Sequence, residues 1–176
     1  WKLTKALITF GTPHRGSLNA LDGLANGFRP APFVDLSNAL RSFPSAYQLL
    51  PTYPCVDDGG GVLKRVVECA VPQVEASRVK SARRFHDEID SAVAAREKQG
   101  TFDPYAIHSI VGNRQPTLLS GVLTASGVTM STEYPGTDLA GDGTVPQVSA
   151  IPFELSKRPV GIVYSHERHA SLQNAL

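Results

Sequence analysis

The sequence predicts an α/β fold built on a mostly parallel sheet, and two observations carry that expectation. Short β-rich apolar runs, at residues 6–10, 105–111 and 160–164, are separated by long stretches with helical spacing. That alternation winds a parallel sheet. Its three polar clusters follow Phe10, surround Asp142 and follow Tyr164. In open α/β sheets, function gathers in loops beyond the carboxyl ends of strands. The composition agrees: 176 residues with 41% hydrophobic and 19% charged suit a globular domain and exclude a disordered chain.

The first strand is Ala6-Leu7-Ile8-Thr9-Phe10, a short buried type of run that stops at Gly11-Thr12-Pro13. A chain that opens at Trp1, on the lip of such a strand, is expected to have been cut upstream, so its compartment is left open. Residues 18–103 are less regular and carry many of the prolines. Within them Leu36, Leu40, Phe43, Tyr47 and Leu50 form a helix-like apolar stripe interrupted at Pro44, and Gly59-Gly60-Gly61 marks a flexible connection. The clearest helix is residues 74–98, with Ala82, Phe85, Ile89 and Val93 on its inner face. Arg83, Arg84, Asp87, Glu88 and Asp90 are assigned to a solvated face, and Gly100 to the helix end. Residues 118–134 read as a hairpin turning at Ala125-Ser126-Gly127, and a terminal helix is expected after His169.

Charge and cysteine content narrow the function classes. Seventeen Lys and Arg oppose 16 Asp and Glu, a formal charge of +1, so no basic field argues for nucleic acid or an anionic membrane surface. No apolar run reaches the length of a membrane span. Cys55 and Cys69 are too few for a disulfide framework or a usual zinc site, and a local disulfide and two reduced thiols explain them equally well.

Asp142 lies between Gly141 and Gly143, which reads as a tight turn with an exposed carboxylate at its tip. Asp138 is a nearby carboxylate in a weaker setting. His169 follows Asp142 by 27 residues and a separate β-run, with His166 as its competitor. Acid then histidine is the chain order of an α/β-hydrolase triad. The acid fixes the imidazole tautomer, and the imidazole takes a proton from a hydroxyl nucleophile. The bland readings are turn chemistry for Asp142 and a surface histidine for His169. His14 is assigned no catalytic role. The five histidines, at 14, 86, 108, 166 and 169, show no H-E-x-x-H or paired-ligand spacing, which places a metal hydrolase last.

Four segments together carry a family resemblance. Gly11-Thr12-Pro13-His14-Arg15-Gly16-Ser17 resembles the loop after the sixth strand of lipase-type α/β hydrolases. Residues 41–51 resemble a cap segment of the lecithin:cholesterol acyltransferase family. Gly141-Asp142-Gly143-Thr144-Val145-Pro146 resembles that family's acid loop, and His169-Ala170-Ser171-Leu172 its histidine segment. The resemblance implies the C-terminal part of an α/β-hydrolase fold, with residues 1–17 and 104–176 as the core and 18–103 as an inserted, largely helical cap. It also implies acyl transfer from a lipid or other acyl ester to an alcohol or water, with no cofactor, using Asp142 as acid and His169 as base.

The sequence departs from the family in one respect. G-x-S-x-G, the motif that places the nucleophilic serine, is absent from residues 1–176. Ser17, Ser126 and Ser131 lack its strand-turn-helix context. In the family order the serine, the oxyanion donors and the first half of the sheet lie upstream. The chain alone is therefore expected to be inactive, and poorly soluble or partly folded. The alternative is a catalytically degenerate α/β-hydrolase domain that binds a lipid or protein partner.

Overall fold

The computed structural model describes residues 3–98, 106–136, 140–156 and 160–174. Trp1, Gly100, Tyr105 and Asp138 lie outside the described residues. In chain order the elements are β1 (Ala6–Phe10), α1 (Leu18–Asn26), α2 (Ser37–Ser42), α3 (Pro44–Gln48), β2 (Val56–Asp57) and β3 (Leu63–Lys64). They continue with α4 (Ala76–Lys98), β4 (Ala106–Gly112), β5 (Ser120–Leu123), β6 (Val128–Ser131), α5 (Gln147–Ala150), α6 (Phe153–Ser156) and β7 (Ile162–Ser165). Short 3-10 turns occupy Val66–Glu68 and His169–Asn174. The last of these stands where a terminal helix is expected.

The α/β class with a mostly parallel sheet is met. One sheet has the order β1-β4-β7, and both of its pairings are parallel, in register Phe10↔Ile110 and Gly112↔Ser165. All three strands therefore end on the same side, where their loops converge. Parallel neighbours need long crossovers, and the segment between β1 and β4 supplies α1 to α4. That segment also contributes β2 and β3 to a second, mixed sheet of order β3-β2-β5-β6. Gly59-Gly60-Gly61 closes the β2–β3 hairpin. There the Asp57 carboxylate accepts from the Gly59 and Gly61 amides at 2.9 and 3.0 Å.

The main core forms around α1, whose Leu18, Leu21 and Leu24 recur every three residues and are fully buried. Ser17 caps this helix by accepting from the Asn19 amide at 3.3 Å. Tyr47, Leu50, Cys55, Val56, Val79 and Ala82 join the same cluster. A smaller cluster of Val111, Val145 and Ala150 packs α5 against β4.

Helix α4 is turned about its axis relative to the sequence expectation. Val79, Ala82 and Val93 are buried, but Phe85 and Ile89 are exposed. Arg83 and His86 take the inner positions instead, donating to Thr52 O at 3.3 Å and bonding Gln48 O at 2.7 Å. The physical cause lies in two carbonyls, Gln48 O at the end of α3, which lacks an intrahelical donor, and Thr52 O four residues further on. The polar side chains of α4 satisfy them, and that fixes the face presented. The stripe at residues 36–50 also splits. Phe43 adopts an extended backbone between α2 and α3, so Tyr47 and Leu50 are buried while Leu36 and Phe43 are exposed.

Both cysteine thiols are free. Burial first, then the neighbouring Cys69, pushes the Cys55 thiol up to about 12, so Cys55 behaves as a small core hydrophobe.

Candidate functional site

The site is assembled at the carboxyl ends of the parallel strands. Phe10 ends β1, and the next residue, Gly11, takes a left-handed backbone with φ +53°. Its amide donates to Ile110 O at 2.9 Å. The loop from Gly11 to Ser17 is then fastened to the turn that carries Asp142. Ser17 Oγ donates to Thr144 O at 3.2 Å, Arg15 N donates to Ser149 O at 3.3 Å, and Ser149 Oγ donates to Gly16 O. Two segments far apart in sequence thus form one rim.

Asp142 is buried, not exposed at a turn tip. The physical reason is its own turn. Oδ1 accepts from the amides of Thr144 at 2.9 Å and Val145 at 2.7 Å, which draws the side chain back under the loop. Thr117, also buried, braces the turn by accepting from Gly143 N at 2.9 Å. Burying a carboxylate is costly unless it is hydrogen-bonded, and here both oxygens are occupied.

The second oxygen, Oδ2, lies 2.8 Å from His169 Nδ1. His169 is tied to Asp142 twice, because its amide also donates to Asp142 O at 2.9 Å. Asp142 is fully buried at its side chain and His169 is 39% exposed, so the carboxylate is sealed while the imidazole edge reaches solvent. With Nδ1–H donating to the carboxylate, Nε2 is left as the free acceptor. His166, the competing histidine, is exposed and offers only its carbonyl to Gln115 Nε2, at 2.7 Å.

Other candidates lie elsewhere. Ser17 caps α1, Ser126 sits exposed in the β5–β6 turn, and Ser131 accepts from the Glu133 amide. Among the described residues no serine, threonine or cysteine side chain hydrogen-bonds to His169. No group of three or more His, Cys, Asp or Glu side chains among them is placed to hold a metal ion. No described helix is long and apolar enough to cross a membrane. Two positions that sequence reasoning passed over also shape the site. The first is Gly112 at the end of β4 and the second is Thr117, while Leu172 of the histidine segment is fully buried in the turn that carries His169. A glycine closing an apolar strand beside the acid loop was the signal available for the first.

A scan against protein-family models returns no match, and neither does a search of the curated proteins. What the site can do is therefore argued from its own chemistry. An acid sealed from water, holding an exposed imidazole in one tautomer, is suited to take a proton from a hydroxyl and return it to a leaving group.

His14 stands apart from this pair. It is half-buried, with Nε2 3.4 Å from Thr9 Oγ1, which in turn lies 3.1 Å from Ser109 Oγ. Burial, then the Arg15 cation, holds its imidazole below the ordinary value of 6.5. The unfolded chain therefore binds a proton at His14 more readily than the folded one, and stability is lost as pH falls below about 6.5. The thermal midpoint is expected to fall between pH 7.5 and 5.5. His14→Gln should shrink that fall, and an unchanged slope would refute the assignment.

Proposed function

We propose that this chain supplies the acid and base of a serine acyl-ester enzyme of the α/β-hydrolase fold, resembling the lecithin:cholesterol acyltransferase family. The observation that carries the reading is the 2.8 Å contact between His169 Nδ1 and a buried Asp142 carboxylate whose other oxygen is held by two backbone amides. The four segments that carry the family resemblance add to it, since three of them meet at this rim. In this reading the nucleophilic serine lies outside residues 1–176.

The chemistry follows from the free nitrogen. His169 Nε2 takes the serine proton as the serine oxygen bonds the acyl carbon of a lipid or other ester. The alcohol leaves with the proton returned by His169. An acceptor alcohol or water then loses its proton to the same nitrogen as it bonds the acyl carbon, and the serine oxygen leaves carrying the proton that His169 returns. An alcohol acceptor makes the enzyme an O-acyltransferase and water makes it a lipase or esterase. Neither needs a cofactor.

The test uses the protein that carries this chain, a fluorophosphonate probe and a chromogenic acyl ester. One serine outside residues 1–176 should be labelled, and His169→Ala should cut turnover about 10⁵-fold or more, the scale on which a triad loses its base. Turnover and labelling indifferent to His169→Ala would sink the reading in favour of a non-catalytic domain that binds a lipid or protein.

A further inference from the structure

Asp142 is hemmed in by glycines on separate segments, and the space each leaves is already occupied. Gly112, the last residue of β4, is buried against the acid turn. A β-carbon built on it would overlap Asp142 Cβ and lie 2.8 Å from Asp142 Cα and 3.1 Å from its amide nitrogen. Gly11 approaches from the loop that follows β1, the parallel neighbour of β4. A β-carbon there would overlap Asp142 Oδ2 and lie 2.9 Å from His169 Nδ1 and 2.8 Å from Leu172 Cδ1. Carbon atoms in proteins do not approach so closely, so any side chain at either position displaces the acid, the imidazole or both.

The two positions differ in a useful way. Gly11 has φ +53°, a backbone that L residues adopt at some cost, whereas Gly112 is not among the residues with positive φ. Nothing in the backbone of Gly112 requires glycine. The requirement comes only from Asp142.

We infer that Gly112 and Gly11 are positioning residues of the Asp142–His169 pair, their bare α-carbons setting where the carboxylate sits and therefore where His169 Nε2 points. Gly112 fixes the depth of the acid turn against β4. Gly11 sets the gap through which Oδ2 meets Nδ1. The buried Leu172 packs the His169–Asn174 turn against Gly11. The inference rests on the triad reading for its effect on turnover, but not for its effect on the hydrogen bond.

The experiment compares Gly112→Ala and Gly11→Ala with two controls in the protein that carries this chain. Gly60→Ala matches Gly112 in having no positive φ, with its nearest neighbour 3.7 Å away; Gly61→Ala matches Gly11 with φ +70° and nothing within 4 Å. Three quantities are read: cooperative melting, the downfield proton resonance of the His169 Nδ1–H bond, and ester turnover. Both site variants should lose the resonance and about 100-fold in kcat, the cost of a misplacement near 1 Å, with KM changed less than about twofold. The controls should lose neither. If Gly112→Ala fails to fold, Gly11→Ala decides, because its β-carbon meets movable side-chain ends and not backbone. A folded site variant that keeps both the resonance and kcat overturns the inference, as do controls that lose as much. Loss of the resonance in a protein whose turnover ignores His169→Ala upholds the positioning role and removes the esterase reading.

Discussion

Replacing Asp142 with asparagine is expected to lower ester turnover about 10⁴-fold while leaving the melting temperature nearly unchanged. The direction of the effect is set by Oδ1. Two amide donors, from Thr144 and Val145, point at that oxygen, so the amide of asparagine must keep its carbonyl there. Its NH₂ then faces His169 Nδ1 and can only donate. The imidazole answers by accepting at Nδ1 and carrying its proton on Nε2, where it can no longer take a proton from a hydroxyl. The packing survives because the side-chain shape and most hydrogen bonds survive. A kcat loss below about tenfold, with the fold intact, would mean that Asp142 does not set the tautomer.

Leu21→Ala should cost about 2–5 kcal/mol of unfolding free energy, read from the midpoint of a urea titration. Leu21 is fully buried at the centre of α1, between Leu18 and Leu24, in the cluster that includes Tyr47, Leu50 and Val79. Helix α1 follows the Gly11–Ser17 loop directly, and its cap Ser17 also bonds the carbonyl of Thr144. A cavity under α1 therefore weakens the fold first and the rim second. A loss under about 1 kcal/mol would show that the neighbours collapse into the gap.

The bounds of strand β1 are legible to the residue, because a β-rich run stops at Gly11-Thr12-Pro13, but its burial is not: the run reads as a buried strand, whereas Ala6, Leu7 and Ile8 are exposed and Thr9 and Phe10 only half-buried. The β5–β6 hairpin is legible for the same local reason, its turn residues being fixed by Ser126 and Gly127. Strands β2 and β3 are not, since two-residue strands leave no periodicity, and pairing to β5 across more than sixty residues is a tertiary event. The face of α4 is misjudged because apolar spacing alone cannot see the carbonyls of Gln48 and Thr52, which recruit His86 and Arg83 inward. At the site, chain order alone does not separate Asp142 from Asp138 or His169 from His166; the Gly-Asp-Gly setting and the segments of the family resemblance pick the pair. The burial of Asp142 is hidden from that argument, because Gly-Asp-Gly describes an exposed turn as well as one folded back on its own amides.

The two bonds from His169 to Asp142, one from the amide and one from the ring, make the pair a self-registering clasp. The distance between acid and base is set where the two turns touch and owes nothing to the length of chain that connects them. On the proposed triad reading, the described residues 151–156 between the two turns have no part in measuring that distance, and insertions or deletions among them are expected to leave the contact between His169 Nδ1 and Asp142 Oδ2 unchanged.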